Sequence, residues 1–227
     1  MNKNLIELKQ IKKNYKHNKG VIEIFRNINF KIKKGELVAL VGPSGSGKST
    51  LLFLLALLEK PTAGKIFFSG IDSLNFDENK KNEIRRRKTS IIFQENNLLS
   101  DFTTIENVLM PLIIRGEDYN SSFDKAKKIL KDVRMLDRIN HFPSELSGGE
   151  QQRVAIARSL VANTDLILAD EPTGSLDFKT SEEIFSYFVK LKKLKKTVVY
   201  ATHNRELANR ADYKLRISNG TIKRVND

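Results

Sequence analysis

The chain has no cysteine among its 227 residues. Disulfides and thiolate metal sites are thereby excluded, and a reducing compartment poses no difficulty. No apolar run reaches membrane-spanning length. The longest, LLFLLALL (Leu51–Leu58), falls far short of the ~20 residues that a bilayer-crossing helix needs. The opening segment MNKNLIELKQ is polar and lacks the apolar core of a secretory signal, so the chain is expected in the cytosol. No internal repeat and no linker divides it. One α/β domain with a proper core, carrying at most a small inserted lobe, is therefore expected. Acidic charge is in deficit: 40 Lys and Arg stand against 27 Asp and Glu, a net charge of +13. Such a balance suits nucleic acid, an anionic membrane surface or anionic ligands. Yet the basic clusters RRRK (Arg85–Lys88) and KLKKLKK (Lys190–Lys196) contain no interleaved aromatics. That favours solvated faces over a base-stacking surface.

The pattern of what is present gives an organisation. Asn4–Tyr15 and Val21–Ile32 read as strands of an N-terminal β region, with clean alternation in INFKI (Ile28–Ile32). LVALV (Leu37–Val41) is a short continuous apolar run, as a buried parallel strand requires. An apolar helix from Lys48 to Glu59 should follow, broken by PTAG (Pro61–Gly64), with a β segment in KIFFSG. SIIF (Ser90–Phe93) is a further strand. Helical patterns then dominate from Glu95 to Ala162, clearest in TTIENVLMPLIIR and FDKAKKILKDVRML. LILA (Leu166–Ala169) and TVVYAT (Thr197–Thr202) return to buried-strand composition around the helix SEEIFSYFVKLKKL. KLRISNGTIKRV reads as a hairpin on Asn219-Gly220. The alternation implies a mostly parallel α/β core, residues 1–94 and 163–227, interrupted by a helical subdomain at 95–162.

GPSGSGKS (Gly42, Pro43, Ser44, Gly45, Ser46, Gly47, Lys48, Ser49), followed by Thr50, has the P-loop spacing in the required strand–loop–helix setting. Its glycines free backbone N–H groups to wrap a phosphate chain. Lys48 reaches the β- and γ-phosphates, and the Ser49 hydroxyl suits Mg²⁺. LILADEP ends an apolar strand in two carboxylates. Asp170 can hold a metal through water, and Glu171 can take a proton from an attacking water. His203, just past TVVYAT, can contact a γ-phosphate, orient that water, or simply be a polar strand end. Gln94, just past SIIF, can touch Mg²⁺ or water, or be a turn residue. A P-loop core gathers such residues at the C-terminal ends of its parallel strands.

LSGGEQQR (Leu146–Arg153) poses a separate question. Ser147, Gly148 and Gly149 offer a hydroxyl and bare amides at a helix start, which is the chemistry of an anion site. No strand feeds it, so it is not a second P-loop. Either Ser147 is an ordinary helix cap, or the segment is half of a site completed by another molecule. The paired glycines favour the half-site.

Taken in order, Tyr15, the P-loop, Gln94 in IIFQENN, LSGGEQQR, LADEP, SLD at Ser175–Asp177 and His203 resemble an ATP-binding cassette (ABC) transporter ATPase over essentially the whole chain. The resemblance implies ATP and Mg²⁺ as ligands. It implies that Tyr15 stacks on adenine, Gln94 binds Mg²⁺ and senses the partner, Asp177 couples two sites, and His203 contacts the γ-phosphate. It also implies that Ser147, Gly148 and Gly149 meet ATP held by the opposite subunit of a head-to-tail homodimer. Integral membrane permease subunits are the implied partners, on the inner face of the cell membrane, and no nucleic acid is expected. QENNLLSDFTTIENVLMPL and LADEPTGSLD resemble the branch of lipoprotein-releasing, macrolide-exporting and antimicrobial-peptide-exporting ATPases. Thr164 stands where proline is common before the LILAD strand, and Ser175 where asparagine is frequent in that branch. Two alternatives are a transmembrane-signalling ATPase like the cell-division relative and a soluble ATPase acting on nucleic acid or ribosomes.

Overall fold

The computed structural model describes residues 4–18, 20–174 and 176–225. Its N-terminal hairpin pairs β1 (Asn4–His17) with β2 (Gly20–Lys33). Register shifts along β1, with Gln10 at φ 52°, bring Leu8 and Ile11 to buried positions although simple alternation would separate them. β3 (Leu37–Val41) is buried at its first four residues, as its continuous apolar run implies.

The helix opened by the P-loop, α1 (Lys48–Leu55), is shorter than its apolar run. Leu57 adopts φ 57°, and the N–H groups of Leu58 and Glu59 both return to the Phe53 carbonyl. A left-handed residue with such back-bonds ends a helix. Ala56 and Leu57 remain buried past that end, so hydropathy continues where the helix does not. β4 (Ala63–Phe68) begins within the expected PTAG break, and β5 (Ile71–Asp72) pairs with it. The four strands form an antiparallel sheet in the order β2-β1-β4-β5.

α2 (Glu78–Lys88) has no counterpart in the sequence pattern, because Ile84 is its one buried residue. It is specified at its ends instead. Asp77 accepts the Lys80 N–H, and Arg85–Lys88 lie in the last turn, where cations suit the helix dipole. β6 (Thr89–Ile92) follows directly. Next come α3 (Thr104–Ile114), α4 (Tyr119–Asp132) and α5 (Gly148–Val161), which share a core that includes Val108, Leu112, Ala126, Leu130, Val154 and Ala157. α4 starts four residues before the expected Phe123–Leu136 segment and ends four residues short of its end, with Arg134 at φ 60° just past that end.

The chain then returns through β7 (Leu166–Asp170), α6 (Phe178–Lys193), β8 (Thr197–Ala201), α7 (Arg205–Asn209), β9 (Tyr213–Ser218) and β10 (Thr221–Val225). The second sheet has the order β10-β9-β3-β8-β7-β6 and is parallel except at the β9–β10 hairpin. Asn219 and Gly220 turn that hairpin at φ 47° and 70°, the two left-handed positions of a type I′ turn.

Alternation within β3 divides the core. Val38 and Leu40 pack with the leucines of α1, and Leu37 and Ala39 pack with Ile184, Phe185 and Phe188 of α6. The fold is therefore α/β: a mostly parallel sheet with an antiparallel N-terminal β region and inserted helices. Parallel pairing brings the C-terminal ends of β3, β6, β7 and β8 to one edge, and the candidate site is built there.

Candidate functional site

β3 delivers the chain into the P-loop, which wraps the start of α1. Gly47 is the N-cap, at φ 100°, and a Cβ there would stand 2.7 Å from the Ile24 Cγ2. No side chain caps α1 and no acid lies in its first turn, so its leading N–H groups face the loop unscreened. Lys48 Nζ donates to the carbonyls of Gly42 (3.1 Å) and Pro43 (3.2 Å), which holds the ammonium across the mouth of the loop. Ser46 Oγ is buried and has no hydrogen-bond partner among the described residues. An uncapped helix start, a poised lysine and an orphaned hydroxyl fit a phosphate chain.

A cavity of about 760 Å³ opens over this loop. Gly42, Pro43, Ser44, Gly45, Gly47, Lys48, Ser49 and Thr50 line one side, and Gln94, Asp170, Glu171 and His203 line the other. Its size is that of a small-molecule site. The Ser49 hydroxyl, Gln94 amide and Asp170 carboxylate give it hard oxygen donors. Among the described residues no cluster of three or more His, Cys, Asp or Glu could hold a metal without help. These donors would leave positions open for phosphate oxygens, which Mg²⁺ takes as ligands in nucleotide sites.

Glu171 follows β7 at φ 46°, a left-handed conformation that an ordinary residue keeps only when its surroundings impose it. Its N–H donates to the Ala201 carbonyl (3.1 Å), and its own carbonyl accepts from the Gly174 N–H (3.1 Å). Its carboxylate lies 3.0 Å from His203 Nδ1 and accepts from the His203 N–H at 3.4 Å. Glu171 is largely enclosed, with 13% of its side chain exposed, whereas His203 has 76% exposed. The pair thus joins an inner carboxylate to an outer imidazole. Gln152 of α5 braces the same turn, donating to the Pro172 carbonyl at 3.1 Å.

Ser147, Gly148, Gly149 and Asp177 stand apart from this cavity. Ser147 caps α5: its Oγ accepts the Glu150 N–H (3.3 Å), and its own N–H donates to the Glu150 carboxylate (2.8 Å). The Ser147 N–H foremost, and then the Ser147 hydroxyl, hold the Glu150 carboxyl below the usual range. Asp177 caps α6 by accepting the Thr180 N–H at 3.0 Å. Bonds from Thr180, its hydroxyl first, likewise lower the Asp177 carboxyl. Ser147, Gly149, Glu150, Arg153 and Asp177 share a small cleft of about 350 Å³. So Ser147 is a cap, but the glycines are not needed for it. A Cβ on Gly148 would meet nothing within 4 Å, and one on Gly149 would meet only Leu176 Cδ2 at 3.5 Å. Ser175 lies outside the described residues.

Tyr15 is half-buried near the end of β1 and does not line the cavity; Ile24 and Gly174 do. Neither of these two carries a chemical signature that a sequence pattern exposes. A second groove of about 860 Å³ lies between α2 and the helices α3 and α5. Leu58, Phe93, Pro111 and Ile114 give it apolar walls, and Arg85, Arg86 and Arg158 give it positive charge. Among the described residues, no helix is long and apolar enough to cross a membrane.

Residues 25–174 match the ABC transporter family. The chain is 43% identical to the lipoprotein-releasing system ATP-binding protein LolD of Rickettsia bellii, covering 98% of this chain and 99% of that protein. It is 42% identical to an uncharacterized ABC transporter ATP-binding protein of Thermotoga maritima, covering 98% and 95%. Among solved structures, it superposes with a TM-score of 0.93 on the ATP-binding cassette MJ0796, in a dimeric post-hydrolysis state bound to ADP and Pi. That similarity is at 38% identity and covers 97% of this chain and 98% of the other.

Proposed function

This chain belongs to the ABC transporter family and is an ATP-hydrolysing transporter subunit, and we propose that it works as a homodimer beneath a membrane permease that extracts lipoproteins. The observation that carries the chemistry is the convergence of Lys48, Ser49, Gln94, Asp170, Glu171 and His203 on one cavity. The Gly42–Thr50 loop binds the phosphates through backbone N–H groups, and Lys48 exchanges its carbonyl partners for phosphate oxygens. Ser49, Gln94 and Asp170 hold Mg²⁺, which neutralises charge on the phosphates when bound. Glu171 accepts the proton of the attacking water at its carboxylate. His203 holds that carboxylate from outside and faces the γ-phosphate. Tyr15 supplies the adenine platform.

Ser147, Gly148 and Gly149 complete the partner's site rather than their own. The support is twofold: they lie outside the cavity that Lys48 lines, and nothing inside the subunit occupies the space that a Cβ at Gly148 would fill. A phosphate approaching from a second copy requires that space. Asp177, in the same cleft as Ser147, couples the two sites. The relative MJ0796 is described as dimeric with ADP and Pi bound, which accords with this reading.

The permease side is the groove of Leu58, Phe93 and Ile114, at the junction of the core and the 95–162 lobe. Its apolar walls suit an amphipathic segment from the cytoplasmic side of a membrane protein, which supports a position for the ATPase on the inner face of the cell membrane. The lipoprotein assignment rests on the LolD relatives, which align over nearly their full length. The test is to purify the chain from membranes with its native partners and reconstitute the complex in vesicles carrying a lipoprotein. ATP-dependent release of the lipoprotein is expected. A complex that hydrolyses ATP but releases none would overturn the cargo assignment.

A further inference from the structure

Tyr15 is not held as an ordinary surface aromatic. Its hydroxyl donates to the Glu59 carboxylate, with the two oxygens at 2.7 and 2.6 Å. Lys13 Nζ lies 2.7 Å from Glu59 Oε2, donates to the Lys60 carbonyl at 3.0 Å, and stands 4.6 Å from the centre of the Tyr15 ring. The lysine is almost wholly buried, at 9% exposure. A lysine is rarely enclosed to that degree unless it is paired, and here it is paired with both the carboxylate and the ring. Burial, and then the Glu59 bond, push the Tyr15 phenol above its usual range, against a lowering bond to Thr50 in the first turn of α1.

Glu59 is itself in a defined place. It lies in the left-handed turn that ends α1, with its N–H bonded back to Phe53. α1 is the helix whose other end is the P-loop, and its eight residues make a rigid rod about 12 Å long. The strand on the Tyr15 side is fastened to the same turn. The Thr62 N–H donates to the Lys12 carbonyl (2.8 Å), and the Asn14 N–H donates to Thr62 Oγ1 (2.9 Å). The ring and the phosphate loop are thus both mounted on α1.

We propose that Glu59 and Lys13 are positioning residues for the nucleobase: they fix the Tyr15 ring against α1, so that base platform and phosphate cradle keep one spacing. The proposal rests on the reading of Tyr15 as the adenine platform and deepens it. Lys13 occupies one approach to the ring, which leaves the base the other. A free phenol ring would have to be ordered by the nucleotide itself, at a cost in affinity. Tyr15→Phe keeps the stacking face but loses the anchor, so stacking and anchoring are separable.

The test compares ATP with inorganic tripolyphosphate, which has the phosphates but no base. Binding to the full-length chain is measured calorimetrically for Tyr15→Phe, Glu59→Ala, the double variant and Tyr15→Ala. Tyr15→Phe and Glu59→Ala should each weaken ATP by roughly three- to ten-fold, part of what a base–aromatic stack supplies, and leave tripolyphosphate unchanged. Because both remove one link, the double variant should bind ATP no worse than the weaker single variant. Equal weakening of ATP and tripolyphosphate would make Glu59 a brace of α1 alone and overturn the proposal. Unchanged ATP binding in Tyr15→Phe and Glu59→Ala, with weakened binding in Tyr15→Ala, would overturn the anchor but keep the adenine platform. Unchanged ATP binding in every variant would remove both.

Discussion

Phe93 and Gln94 are consecutive, yet they line different cavities. Phe93 forms part of the groove between α2, α3 and α5, and Gln94 lines the nucleotide cavity. One peptide unit therefore lies between a candidate partner surface and a candidate metal ligand. The segment after it is tied down by Arg158, which donates to the carbonyls of Asn96 and Asn97, both at 2.8 Å.

If the groove receives the permease, a charge buried in it should uncouple the two proteins without harming nucleotide binding. Ile114 is 58% exposed, so Ile114→Glu disturbs little of the subunit's own core. The expected outcome is loss of co-purification with the membrane partner at unchanged ATP affinity. Cross-links from residues 95–99 should reach a membrane protein, and cross-links to RNA or ribosomal proteins alone would remove the assignment.

Glu171→Gln preserves shape and removes the candidate base. Hydrolysis should fall by about 10²–10⁴, the usual cost of losing a general base, while ATP binding persists. A dimer stable in ATP should then accumulate, seen as a rise in mass by light scattering. A wild-type hydrolysis rate in this variant would mean that another group takes the proton.

Defects in the two cradles should complement. Lys48→Ala spoils the P-loop but leaves a good Ser147–Gly149 segment, and Ser147→Arg does the reverse. Each homodimer has only broken sites, whereas a mixed dimer has one intact site and one broken twice. Mixing the two inactive variants should restore activity, up to about half the wild-type rate per mixed dimer if the sites act independently. Failure to complement, together with a chain that stays monomeric in the Glu171→Gln background with ATP, would reduce Ser147 to a helix cap.

Asn107 offers a stability test. It is fully buried, its Nδ2 faces the carbonyls of Leu99, Phe102 and Thr103 at 2.9–3.1 Å, and its Oδ1 accepts the Leu99 N–H at 2.8 Å. Asn107→Leu keeps the branched heavy-atom shape and strands those backbone groups. The expected loss is about 3 kcal/mol, which lowers Tm by about 6–12 °C in a domain of this size. Thermal melting checks it, and a shift below about 2 °C would mean that water replaces the amide.

Elements whose cause is local could be read from the chain. The P-loop spacing, the apolar run of β3, the Asn219-Gly220 turn and the acidic end of β7 each carry their reason within a few residues. The opening helix was legible too, but its end was not. α1 stops at Leu55 because Leu57 turns left-handed, and tertiary burial of Ala56 and Leu57 hides that stop from hydropathy. α2 was invisible because a helix with one buried residue has no apolar stripe to read. The candidate site shows the same division. Lys48, Asp170, Glu171 and His203 could be named from motifs, but their meeting in one cavity depends on parallel pairing of strands far apart in sequence. Ile24 and Gly174 in the cavity, Gln152 behind Pro172 and Glu59 beneath Tyr15 had no local signature at all. They act through contacts that arise only when packing brings separate segments together.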